Sequence, residues 1–166
     1  MLCAIIGDSI AVGTAAAESL PASYRLPCFM DAKVGIPSAQ IIGRVHDADV
    51  VVVSAGSNDP HNPKLVANLE AIRTKITGRV LWIVPQDRVA AAAVRSVAAK
   101  HSDLIVTFTA GRDGVHPHSY APIIGAVREL IEPPLVKVTY YQRVCSCVEW
   151  QYHAGICRPG QRYYEC

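Results

Sequence analysis

Short apolar runs, each separated from the next by a segment of helical period, constrain this chain more than any other feature. The clearest is Val50 to Ser54, four valines in succession ending on a serine. A strand that is apolar at every residue, and not at alternate ones, is covered on both faces, the condition of a parallel sheet held between helices. Leu2 to Ile6, Val80 to Val84 and Leu104 to Phe108 read the same way, and a weaker strand is expected around Leu26 to Met30. Between them, Leu65, Leu69, Ile72 and Ile76 repeat at helical spacing, with Pro63 near the start and Gly78 after the end. A second helix runs from Asp87 as its cap through Val89, Ala93 and Val97 to His101. A third begins near Ser119, takes Pro122 in its first turn and buries Ile123, Ile124, Val127, Leu130 and Ile131.

The alternation predicts an α/β fold: a flavodoxin-like three-layer α/β/α sandwich with a mostly parallel five-stranded sheet. At 166 residues the chain has room for one such domain and a small appendage. Hydrophobic residues at 51% against 18% charged exclude a disordered chain. A net charge of +2, with no block of Lys and Arg, gives no footprint for nucleic acid. No apolar run reaches the ~18 residues of a membrane span. Met1-Leu2 leaves no room for a signal peptide before the first strand, so the chain as written is expected in the cytoplasm, or else as the mature form of a secreted protein.

Pro133-Pro134 ends the β-α pattern, dividing residues 1–132 from a Cys- and Tyr-rich extension over 133–166. Of the six cysteines, Cys3 and Cys28 sit in apolar company and read as small buried hydrophobes. Cys145, Cys147, Cys157 and Cys166 fall in the extension, where two disulfides, a zinc site with His153, or a segment of little structure all fit the spacing. Tyr140, Tyr141, Trp150, Tyr152, Tyr163 and Tyr164 would suit a protein contact surface there.

In open α/β sheets the residues just beyond the carboxyl ends of the strands meet ligands. Here those are Gly7-Asp8-Ser9 after the first strand, "SAGSNDP" after the third and "GRDGVHP" after the fifth. Taken singly, each also fits a structural role. Ser9 could cap the following helix, Gly56 to Pro60 could be a plain turn, and His116 could be a loop histidine.

Together, in this order, the three motifs resemble the SGNH or GDSL hydrolase family, over residues 2 to about 132. The resemblance implies that Ser9 is a nucleophile, His116 its general base and later general acid, and Asp113 the residue that orients His116. It assigns an oxyanion hole to the backbone N–H of Ser9, the backbone N–H of a glycine in "AKVGIPSAQ", Gly35 with Gly43 as the nearby alternative, and the Asn58 amide. Asp8 is expected to order the turn around Ser9, and Asp59 to brace the Asn58 loop. His118 could compete for the base, but only His116 has the family's spacing from Asp113. His46 and Asp47 lack companions for a metal site, and neither metal nor cofactor is expected.

The implied activity is a serine esterase acting through an acyl-enzyme on short acyl esters, with a carbohydrate O-acetyl ester as the favoured substrate. Connections too short for a large lid point to an open site and small acyl groups. The alternatives are a lysophospholipase or thioesterase, and a non-catalytic module binding glycan or protein on the same fold.

Overall fold

The computed structural model describes residues 3–16 and 27–131. The extension from 133, with its four cysteines, His153 and its aromatic residues, lies outside the described residues, and the division at Pro133-Pro134 lies there too.

Five parallel strands form one sheet: β1 (Cys3–Gly7), β2 (Phe29–Ala32), β3 (Val50–Ser54), β4 (Arg79–Ile83) and β5 (Leu104–Val106), in the order β2-β1-β3-β4-β5. Helices α1 (Ser9–Ala15), α2 (Ser38–Ile41), α3 (Leu65–Arg73), α4 (Arg88–His101) and α5 (Ala121–Ile131) cover it, and a 3-10 turn over Ile42–Arg44 extends α2. This is the expected α/β sandwich.

The two faces of the strands feed two separate cores. Ala4, Ile6, Val51, Val53, Val80 and Trp82 point to one side, where α3 and α4 pack Leu69, Ile72, Val94 and Val97 against them. Cys3, Ile5, Val52, Leu81 and Ile83 point to the other, against Ile10 and Ala11 of α1 and Ile123 and Val127 of α5. Alternate residues of each central strand therefore serve opposite cores, which is why those strands read as continuous apolar runs.

The ends of elements depart from the sequence reading for local reasons. β1 runs one residue further, to Gly7, because Gly7 still pairs with Ala32 and Ser54. β2 starts at Phe29, after Pro27, which has no N–H to give a ladder. β5 stops at Val106; beyond it the Phe108 carbonyl accepts from the Gln86 side chain. Asp87 caps α4 as expected, its carboxylate accepting from the N–H groups of Val89 and Ala90. Pro122 falls in the first turn of α5.

Cys3 and Cys28 correct the sequence reading. They are a disulfide and not two separate buried thiols. The register pairs Ala4 with Phe29, so the residues one step earlier on β1 and β2 lie side by side, with Cα atoms 4.6 Å apart. Cys3 is fully buried, so that part of the expectation holds for it.

Candidate active site

With β1 flanked by β2 and β3, the chain leaves β1 toward one neighbour and returns on its other side. The switch opens a crevice at the carboxyl ends of β1 and β3, where ligands of such sheets are held. Ser9 follows β1 and Asn58 follows β3 at this place.

Ser9 is delivered by a tight passage from strand to helix. Gly7 has φ +136°, and a Cβ there would sit 2.0 Å from the Ser54 carbonyl oxygen, so only glycine lets the two strands approach this closely. The Asp8 N–H donates to that same carbonyl at 3.1 Å. Asp8, not Ser9, caps α1: its Oδ1 accepts from the Ile10 N–H at 3.0 Å and from the Ser54 hydroxyl at 2.7 Å. Its Oδ2 is buried and takes no hydrogen bond among the described residues. Ser9 is thereby released from capping. It becomes the first residue of α1, where a backbone N–H has no acceptor within the helix.

The loop between β5 and α5 brings the carboxylate and the imidazole. Its ends are held by an antiparallel bridge between Ala110 and Pro117, by the Gly111 N–H on the His116 carbonyl at 2.7 Å, and by the His118 N–H on the Thr109 carbonyl at 2.9 Å. Within it, His116 Nδ1 lies 2.6 Å from Asp113 Oδ2, and His116 Nε2 lies 2.8 Å from Ser9 Oγ. The other Asp113 oxygen accepts from the N–H groups of Val115 and His116, each at 2.9 Å. These contacts, the Val115 N–H first and then the His116 ring, hold the Asp113 carboxyl down to about 2 against an ordinary 3.8. An ionised Asp113 can only accept, so the shared proton belongs on His116 Nδ1 and Nε2 is left to accept from the Ser9 hydroxyl.

His118, two residues on, is exposed, and it is His116 that meets Ser9. Tyr120 packs against the next turn of α1: a Cβ on Gly13, four residues beyond Ser9, would sit 2.1 Å from its hydroxyl oxygen. Burial pushes the Tyr120 phenol up, and the Asp113 and Asp8 carboxylates push it further, so it stays neutral.

The remaining expected residues lie in the segments after β2 and β3. Asn58 is exposed, and its Nδ2 donates one hydrogen to the Ile36 carbonyl at 3.0 Å, leaving the second to face solvent or a ligand. Gly35 occupies the turn between β2 and α2 with φ +76°, and a Cβ there would meet nothing within 4 Å; backbone conformation, not space, requires the glycine. Gly43 lies in the 3-10 turn. Asp59 accepts from both the N–H and the hydroxyl of Ser38, at 3.0 and 2.6 Å, and from Asn62 Nδ2 at 2.9 Å. Ser38 was not singled out by the sequence, since α2 is too short to show a helical period.

Other polar groups lie elsewhere. A wide cleft of about 760 Å³ opens at the amino ends of β3 to β5, the opposite edge of the sheet from Ser9. Several of its polar groups pair within the protein: Arg73 with Asp103, Asp47 with Thr77, and Arg79 with the Leu130 carbonyl. His46 pairs with Asp31, which also receives Arg44. Among the described residues no group of three or more His, Cys, Asp or Glu side chains is placed to hold a metal ion, and no helix is long and apolar enough to cross a membrane.

No model of a known protein family matches the chain, and no curated protein matches it either. Among solved structures, the C-terminal catalytic domain of peptidoglycan O-acetyltransferase A (OatA) from Streptococcus pneumoniae, determined with a methylsulfonyl adduct, aligns with a TM-score of 0.49 at 18% identity, over 78% of this chain and 87% of that one.

Proposed function

We propose that this chain is a serine esterase that transfers an acyl group from an ester to Ser9 and then to water. One observation carries the reading: the unbroken hydrogen-bonded line from Asp113 through His116 to Ser9, at the sheet edge where a substrate can enter.

In the reaction, Ser9 Oγ attacks the ester carbonyl carbon as its proton passes to His116 Nε2. The carbonyl π pair moves onto oxygen, and the N–H groups of Ser9 and Gly35 and the free Asn58 amide hydrogen stabilise that charge. Collapse breaks the bond to the leaving alcohol, which takes the proton from His116. Water then attacks the acyl-Ser9 ester, giving its proton to His116. The second collapse breaks the acyl bond to Ser9 Oγ, which recovers the proton as the acid leaves. Asp113 stays ionised throughout and stabilises the imidazolium formed in each half.

A short acyl group on a bulky polar alcohol, an O-acetyl ester of a carbohydrate, is the substrate class of this reading. The open rim supports it, since the His116 and Asp113 side chains are 41% and 54% exposed, and a long acyl chain would need an enclosing apolar channel beside them. The Cys3–Cys28 bridge supports an oxidising compartment as the place of work.

The test is hydrolysis of p-nitrophenyl esters from acetate to long acyl chains by wild type and Ser9→Ala, followed by acetylated glycans. The expected outcome is turnover of the short esters and a loss of at least about 10⁴-fold in the variant. Equal rates in both proteins would overturn the assignment. A preference for long chains would replace the acetylesterase reading with a lipase-like one.

A further inference from the structure

The Gly35 and Asn58 loops come from different parts of the chain, one after β2 and one after β3, yet an oxyanion hole needs both donors aimed at one point. Small errors matter: a misplacement of about 1 Å can cost roughly 100-fold in rate. Something must fix the two loops to each other. The Asn58 side chain makes one such link, to the Ile36 carbonyl, but this is a single hydrogen bond from an exposed residue.

The stronger link lies a little further along each loop. Asp59 directly follows Asn58, and Ser38 stands three residues after Gly35. Asp59 takes both donors of Ser38, the N–H on Oδ1 at 3.0 Å and the hydroxyl on Oδ2 at 2.6 Å. Two bonds to one carboxylate fix orientation as well as distance. The pair is itself braced from behind: Asn62 Nδ2 donates to Asp59 Oδ2 at 2.9 Å, and Asn68 Nδ2 of α3 donates to Ser38 Oγ at 2.9 Å. Ser38 is fully buried, so water does not compete for its hydroxyl.

We infer that Asp59 and Ser38 are positioning residues that hold the Gly35 N–H and the Asn58 amide in one fixed relation, so that both reach the same developing oxyanion. The inference rests on the esterase reading. Neither residue touches the reacting atoms. They act through the donors, so their loss should appear in the chemical step and not in ground-state binding.

The experiment is steady-state kinetics on the best short ester for wild type, Ser9→Ala, Asp59→Asn, Ser38→Ala, Asn58→Ala and the Asn58→Ala/Asp59→Asn double variant, with thermal unfolding of each. Asp59→Asn keeps the shape but cannot accept at both atoms, and it should lower kcat by about 10- to 100-fold with KM within about twofold. Ser38→Ala should lower kcat in the same way by a smaller factor, and it serves as the probe if Asp59→Asn does not fold. In the Asn58→Ala background, Asp59→Asn should cost clearly less than in wild type, because one of the donors it positions is already gone. If the two folded single variants keep wild-type kcat, or if Asp59→Asn costs the same factor in both backgrounds, the inference falls. Should Ser9→Ala hydrolyse as fast as wild type, it is the esterase reading that fails, a result separable from the other two.

Discussion

The two edges of the sheet handle polar groups in opposite ways. At the amino edge, Arg73 donates from Nε to both oxygens of Asp103, Trp82 donates to the same carboxylate at 3.0 Å, and Asp47 takes the N–H and hydroxyl of Thr77. Asp103 is only 3% exposed, and the Cys3–Cys28 bridge ties β1 to the chain entering β2 at the same edge. At the carboxyl edge the partners are arranged differently. Asp8 caps α1 in place of Ser9, Asn58 commits one amide hydrogen to Ile36, and His116 presents its second nitrogen to a hydroxyl that can leave it. The contrast separates two uses of one scaffold. At the amino edge Arg73 pairs with Asp103 and Asp47 with Thr77, while the carboxyl edge leaves the Asn58 amide exposed and a hydroxyl beside His116.

Breaking each edge should therefore give a different signature, and the largest effect belongs to the carboxyl edge. Asn58→Ala should lower kcat on short esters by about 100- to 1000-fold with little change in unfolding temperature. A change in stability with kcat intact would erase the contrast. Reducing the Cys3–Cys28 bridge, or replacing both cysteines by serine, should do the converse. Loop entropy for a separation of 25 residues puts the cost at about 3.5 kcal/mol in denaturant titrations, with kcat of the folded fraction unchanged. Asp103→Asn leaves Arg73 without its charge partner in a buried setting and should cost about 3 kcal/mol of stability, again with kcat unchanged.

The smallest effect, and the one that sharpens the account of the triad, is in pH. The carboxyl of Asp113 sits at about 2 in the folded chain, below its ordinary 3.8. Its contacts therefore stabilise the fold fully above the ordinary value and lose that contribution only as pH falls toward 2. Above the ordinary value the Asp113 carboxylate stays ionised, so its share of the stability should be constant there and fall away only at more acid pH in acid-unfolding titrations; an identical acid limb in Asp113→Asn would contradict this.

Much of this was legible in the sequence because each signal is local. Four valines in a row carry a doubly covered strand by themselves, and Asp113 and His116 share one loop three residues apart. Pro122 and Asp87 mark helix starts without help from the rest of the chain. What stayed hidden depends on register or on contacts across the fold. Cys3 and Cys28 become neighbours only once Ala4 is set opposite Phe29. Ser38 gains its meaning from Asp59, 21 residues away, and α2 is a single turn with no period to read. Ser9 illustrates the middle case: its position was plain, but Asp8 as the cap emerged only from the hydrogen bonds around Ser54.

The central claim is that the Ser9 hydroxyl, activated by His116, is the nucleophile. Treating the folded protein with a fluorophosphonate and mapping the modified peptide by mass spectrometry tests it most directly, since phosphonylation of an activated serine is irreversible and needs no knowledge of the natural substrate. The account predicts one phosphonyl group on Ser9, loss of ester hydrolysis in step with labelling, and no labelling in His116→Ala. Hydrolysis that survives complete labelling of Ser9, or a label on another residue that alone abolishes activity, would contradict it.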